Sequence, residues 1–408
     1  MSEWKKIRLG DVCRTNADTY LPKEKWDFVN YLDTGNITNN TIDSIQFIEL
    51  KNMKLPSRAK RKVKKDSIIY STVRPNQRHF GIIKSQPENF LVSTGFVVID
   101  VDNNALNADF LYYLLTQNTL VDALQAIAEQ STSAYPAIKP SDIENLEIEI
   151  PDLATQKKIS DILSSLDRKI AKNAEINKNL EQQAKAVFKS WFVDFEPFGG
   201  VQPSEMQFIP LQELCKVVTK GTTPTTLGKS FTSSGINFIK AESILDNHSI
   251  DSSKFAFVDE ETNALLKRSV IKANDIIFTI AGTLGRFAMV DNSVLPANTN
   301  QAVAIIRPDE AKITPAYLYS FFIGNWHNEY YSKRIQQAVQ ANLSLTTIKS
   351  LPIAVLNNTT MSNYDKLVSP LFALMKNNEE ENRRLSKLRD VLLPMLMSGE
   401  IDVSNIEL

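Results

Sequence analysis

The chain has 408 residues, 43% of them hydrophobic and 23% charged, with 46 Lys and Arg set against 47 Asp and Glu. This is a globular composition, long enough for two to three domains; the near-zero net charge excludes nothing, because nucleic-acid binding depends on where cations cluster. Two cysteines exclude a disulfide framework, the opening MSEWKKIRLG has no apolar stretch of signal-peptide length, and no apolar run reaches a membrane span, so a cytoplasmic protein with no membrane partner is expected.

In chain order, residues 1–152 form the first predicted domain. The stretch 4–16, WKKIRLGDVCRTN, reads as a short strand or turn. Residues 51–65 then hold eight cations (Lys51, Lys54, Arg58, Lys60, Arg61, Lys62, Lys64, Lys65) and no acid. A buried strand is predicted at 66–71, a second at 96–101, and an aromatic helical patch at 110–115. A helix over 153–196 follows. It has no Gly or Pro from Thr155 to Val193, and a three-four spacing runs through Ile159, Leu163, Leu166, Ile170, Asn173, Asn177, Leu180, Ala184, Val187 and Trp191. At 1.5 Å per residue such a rod is roughly 55 Å long.

Residues 203–357 repeat the first domain about 200 positions later, a period far too long for a solenoid unit and therefore a domain duplication. LQELC at 211–215 answers LGDVC at 9–13, which makes Cys13 and Cys215 paired small core residues. Residues 274–279 answer 66–71, Ala302 to Ile306 answers Phe96 to Val101, and 317–322 answers 110–115. A second long helix, over 361–400, carries its own seam at Leu371, Leu374, Asn378, Glu381, Leu385, Leu388, Leu392 and Met395. Both seams turn polar at their centres. Polar seam positions fix register, so the two helices are expected to pair with each other. The predicted fold is α+β: two similar mixed α/β domains separated by a pair of long antiparallel helices, a coiled coil with pseudo-twofold arrangement.

Catalytic patterns are weak. The run from Gly221 to Ser230 imitates a phosphate-binding loop, but Thr223 stands where the motif requires Gly. Asp291 with Glu310 and Lys312 reads as a solvated turn, not as a nuclease cluster. His79, His248 and His327 lack the spacing of a zinc site. Binding features are richer. Lys60, Arg61, Lys62 and Lys64 can neutralise phosphates, and the following turn offers Arg74, Asn76, Gln77 and Arg78, side chains suited to base edges in the major groove. In the second copy, Lys220, Thr222, Thr223, Thr225 and Lys229 form a hydroxyl-rich loop, with Arg286, Asn298 and Asn300 nearby. Such groups can hold phosphates while amides read bases. Two unlike loop sets predict two different sequences read.

Together these features resemble the specificity subunits of type I restriction–modification systems. The resemblance rests on Ile150-Pro151-Asp152-Leu153-Ala154-Thr155-Gln156-Lys157-Lys158-Ile159 with the following Leu166-Asp167, on Trp191-Phe192-Val193-Asp194-Phe195, on Gly221-Thr222-Thr223-Pro224, and on Leu392-Leu393-Pro394-Met395-Leu396 with Ser398-Gly399-Glu400. The second helix lacks the Gln-basic opening, and the first domain lacks the Gly-Thr-Thr-Pro segment. The resemblance implies two target-recognition domains, each reading one half of a bipartite double-stranded DNA sequence. It also implies that the helices set the gap and dock two modification subunits, beside motor-nuclease restriction subunits. It implies no cofactor on this chain, with S-adenosylmethionine, ATP and Mg on the partners. Two competing readings are a nuclease or methyltransferase with its own active site, and a coiled-coil scaffold that does not touch DNA.

Overall fold

The structure, a computed structural model, describes residues 4–131, 135–335, 343–404 and 406. It divides into two compact units. The first joins Met1–Ala171 to Asn382–Leu408, and the second is Lys172–Glu381. Two 40-residue helices, Leu153–Phe192 and Asn358–Met397, each contribute one half to either unit.

In the first unit, Phe96–Val101 (FVVIDV) is a β-branched apolar run, as a strand buried on both faces requires. It is flanked by Cys13–Thr15 and Ile68–Ser71, with Phe80–Ile82 beyond. Side chains alternate across this sheet. Val97 and Ile99 join the core under the helix Ala108–Thr116, whereas Phe96 and Val98 join a core with Phe90 and Val92 of a second sheet. That second sheet runs Gln46–Glu49, Phe28–Leu32, Phe90–Ser93, Ala59–Lys62, and its inner pair, Phe28–Leu32 with Phe90–Ser93, is parallel.

The second unit repeats this plan. Its first sheet runs Cys215–Lys220, Val303–Pro308, Ile276–Thr279, Phe287–Met289, and the second, one strand shorter, runs Ala256–Val258, Ile236–Ile239, Ala297–Thr299, with the equivalent pair Ile236–Ile239 and Ala297–Thr299 again parallel. Ile306 faces the helical core and Ile305 the other sheet, the same alternation. A two-stranded ribbon closes each unit: Lys5–Arg8 with Glu147–Ile150, and Gln207–Pro210 with Pro352–Val355. Cys13 and Cys215 are free thiols opening equivalent strands, and burial pushes them up to about 11 and about 12.

The central helix starts where Asp152 accepts hydrogen bonds from the Thr155 N–H (2.9 Å) and hydroxyl (3.0 Å), an N-cap. Gln156, buried, donates to the carbonyls of Pro151 and Ala105 and accepts from the Asn107 N–H at 2.8 Å, tying the helix start to the unit. Within each unit the two half-helices run antiparallel. In the first, Arg389 donates to Asp167 (2.8 Å) and Asn382 to the Ile170 carbonyl (3.4 Å). In the second, Asn173 donates to Glu381 (2.7 Å), Asn378 to Asn177 (2.7 Å), and Asn177 to the Met375 carbonyl (3.0 Å).

The seam of the central helix is inward: Ile159, Leu163 and Leu180 are buried, and Leu166, Ile170 and Val187 half-buried. The C-terminal helix corrects the prediction at alternate positions. Leu371, Leu385 and Leu392 are half-buried, but Leu374 and Leu388 stand 46% and 47% exposed. Their places fall to Met375 and Arg389, which with Asn382 and Leu396 give a four-three spacing, while Glu381 keeps its place by accepting from Asn173. Leucine composition pointed to one edge of the stripe, while the polar contacts at Asn382 and Arg389 select the other.

Candidate nucleic-acid interface

In the first unit the basic run includes the edge strand Ala59–Lys62, paired on one side to Phe90–Ser93. Its other edge is bridged to Thr19, with the Tyr20 N–H donating to the Lys60 carbonyl at 2.8 Å, so what the strand offers is its side chains, and these are not equivalent. Lys60 is exposed and has no ion pair among the described residues. Lys62 is spent internally: its ammonium lies 2.5 Å from Glu24, which lowers the Glu24 carboxyl and raises the Lys62 amine, and it sits over the Trp26 ring at 5.5 Å. Arg61 is half-buried, with burial pulling its guanidinium down and its Nε unpartnered. Lys64 is 3.8 Å from Asp100 yet 68% exposed, a geometry worth little to stability. Lys60 and Lys64 are therefore the two of this set open to phosphate.

The strand Ile68–Ser71 then turns through residues 72–79 before Phe80–Ile82. Pro75–Gln77 makes one 3₁₀ turn between Arg74 and Arg78, both in left-handed backbone at φ 49° and 56°. Arg78 is turned inward, donating to the Thr116 carbonyl at 3.3 Å and to Asn118. The Asn76 N–H donates to Gln125 at 3.3 Å, while the side chains of Asn76 and Gln77 are exposed. Arg74 is exposed, and its guanidinium carbon lies over the ring of Tyr135, 5.3 Å from its centre. Nothing in the sequence pattern singles out Tyr135, an isolated aromatic with no periodic signal.

In the second unit the loop leaving Cys215–Lys220 passes so close to a neighbouring segment that a Cβ on Gly221 would lie 2.1 Å from the Thr299 carbonyl oxygen. Only glycine fits there. Thr223 then bonds Gln301, and Pro224–Leu227 makes a 3₁₀ turn that leaves Thr225 exposed. Lys220 is exposed, and Thr222 accepts from Arg268 at 3.1 Å. Lys267 and Arg268 are exposed with no ion pair among the described residues, and the contact to Thr222 places Arg268 with this loop.

Four further members are committed elsewhere. Asn298 is a correction: it is fully buried, donating to Asn263 (2.9 Å) and the Leu266 carbonyl (3.3 Å) while accepting from the Thr299 N–H, so it holds the sheet and cannot reach a groove. Arg286 makes a two-pronged pair with Asp246, 2.7 Å on each side, at the wall of a 360 Å³ cavity where Glu181 and Lys185 also pair. Lys229 pairs with Glu261 at 2.7 Å, which raises its amine. Asn300 is half-buried and caps the turn to Ala302. Among the described residues no cluster of acidic, His or Cys side chains could hold a metal, and no helix is long and apolar enough to cross a membrane.

Residues 1–182 and 203–357 match the type I restriction modification DNA specificity domain. The HindI type I restriction enzyme specificity subunit of Haemophilus influenzae is 28% identical, aligned over 98% of this chain and 100% of that one. The MjaIX specificity subunit of Methanocaldococcus jannaschii is 26% identical over 75% of this chain and 72% of its own. A solved type I restriction-modification system S subunit from M. genitalium shares the fold, with a TM-score of 0.58 at 16% identity over 97% of this chain and 96% of that one. The chain therefore belongs to the type I restriction–modification specificity family, and its part in such a system is to recognise DNA rather than to carry out the chemistry.

Proposed function

We propose that each unit reads one half of a bipartite duplex target, and that the two long helices set the unspecified gap between the halves. The observation that carries this is the duplication itself. The two units share one sheet order and one alternation of faces, yet the loops beside equivalent strands differ in chemistry. Lys60, Lys64, Arg74, Asn76 and Gln77 serve the first half; Lys220, Thr222, Thr225, Lys267 and Arg268 serve the second. A framework kept twice with unlike loops is what two readings of two sequences require.

The family works with other subunits of its system. In this reading those are two modification subunits, which hold S-adenosylmethionine, and motor-nuclease subunits, which use ATP and Mg²⁺; this chain holds none of these. The apolar side chains left exposed on the C-terminal helix, Leu367 and Leu374 in the second unit and Leu388 and Val391 in the first, support docking there.

The test is to insert four residues into both helices, at 171/172 and 381/382, and map methylated sites in a host carrying the complete system. Each helix lengthens by about 6 Å, close to two base-pair steps of about 3.4 Å. The two fixed blocks should stay the same and the gap should widen by about two base pairs. An unchanged gap refutes the spacing role.

A further inference from the structure

We propose that Arg74 is the guanine-reading side chain of the first unit and that Tyr135 is its positioning residue. This rests on the first unit reading duplex DNA, and it singles out one residue among several cations. Lys62 and Arg78 have their donors engaged within the unit, and Arg61 is half-buried. Of Arg61, Arg74 and Arg78, only Arg74 is exposed, and none of its side-chain N–H groups has a hydrogen-bond partner among the described residues; Arg58 is exposed too but lacks a ring to orient it among the described residues.

The backbone holds it in place for this. At φ 49° and ψ 70° Arg74 occupies a left-handed conformation that a Cβ disfavours and that glycine or asparagine adopts more readily. The conformation is braced from several sides. The Arg74 N–H donates to the Pro136 carbonyl at 3.0 Å, the Ile138 N–H to the Thr72 carbonyl at 2.8 Å, and Val73 forms a bridge with Ala137. Thus the segment that fixes the Arg74 backbone also carries the ring beneath its guanidinium. Tyr135 is 60% exposed, so the contact lies at the surface and not in a core. A guanidinium held over a ring by cation–π attraction, here 5.3 Å from the centre, has fewer orientations open to its planar fork. Two parallel donors held in one plane match O6 and N7 of guanine in the major groove, the commonest specific arginine contact. A phosphate contact would need neither the ring nor the strained turn.

The full chain, assembled with its partner subunits, is incubated with a randomised duplex pool, and the retained sequences are read. Wild type should enrich two fixed blocks. Arg74→Gln and Arg74→Lys should make one G·C pair of one block degenerate, with binding to the wild-type sequence weakened roughly 10- to 100-fold and every other position kept. Tyr135→Leu should relax the same pair, and Tyr135→Phe should restore it. Arg74→Gly should melt at the same temperature as wild type or higher, because glycine removes the left-handed penalty.

Two blocks enriched unchanged by the Arg74 variants would overturn the assignment and leave the bipartite reading intact. Equal weakening on all sequences would make Arg74 a phosphate contact and would also overturn it. A clear fall in melting temperature with an unaltered motif would show a structural clamp and would overturn it too. If wild type itself enriches no fixed sequence, the reading beneath the assignment fails, and the assignment with it.

Discussion

His327 is fully buried with neither ring nitrogen hydrogen-bonded, packed against Phe278, Phe322 and Tyr331 at ring separations of 5.6, 5.1 and 5.5 Å. Burial, then the neighbouring His248, push its pKa down from 6.5 to about 3. The folded state therefore holds fewer protons than the unfolded state between those values, so stability falls as pH drops below 6.5. The slope is about 1.4 kcal/mol per pH unit for this one group. Chemical denaturation at pH 7.5, 6.5 and 5.0 should show the loss in wild type, and His327→Phe should flatten it. Asn298 gives a second prediction at this scale. Asn298→Ala strands the Thr299 N–H and the Asn263 and Leu266 acceptors, and should lower stability by about 2–4 kcal/mol. A variant that stays folded with full stability and loses one base of specificity would instead put Asn298 at the DNA. The residue pattern places it there because buried and solvent-facing amides share one composition. Which way a side chain points at a strand end is decided by the neighbouring sheet, here by Asn263, 35 residues away in the chain.

At the scale of elements, more was legible. Short continuous apolar runs such as Phe96–Val101 and a Gly- and Pro-free stretch of helix formers are local signals, and each became the expected element. The repeat of LGDVC in LQELC located equivalent strands because a duplicated core keeps its small buried positions. What stayed hidden was the alternate register of the C-terminal helix. Leucines at 374 and 388 fit a heptad as well as Met375 and Arg389 do, and only the tertiary partners Asn177 and Asp167 decide between them. Charge reversal separates the two. Leu374→Arg and Leu388→Arg should change stability by less than about 0.5 kcal/mol, as surface sites do, and should weaken assembly with other subunits. Met375→Arg should destabilise the second unit by about 2 kcal/mol or more through a charge forced into a packed seam. Equal losses in melting temperature for all three would restore the leucine register. Replacing Asn177 and Asn378 together by Leu should raise the melting temperature while loosening the register that their 2.7 Å bond selects.

At the scale of the whole molecule, the first unit is discontinuous. Leu396, Met397 and Val403 are buried in the same core as Leu9, Val97 and Ile159, Gly399 lies against the Trp4 indole, and Lys158 donates to the carbonyls of Val403 and Ser404. The second unit, by contrast, is one unbroken stretch. A chain stopped at Glu381 should accordingly keep the second unit's protection against hydrogen exchange and lose that of residues 153–171, which the deleted half-helix covers. Ribosomes emit residues in numerical order, so the second unit can close while the first still waits for residues 382–406. A prematurely terminated message therefore yields a protein whose first domain cannot be sealed, open to proteolysis before it can join a complex. Fastening Trp4 and the Leu9 core to residues 396–404 makes translation through that segment a condition of the first unit's stability.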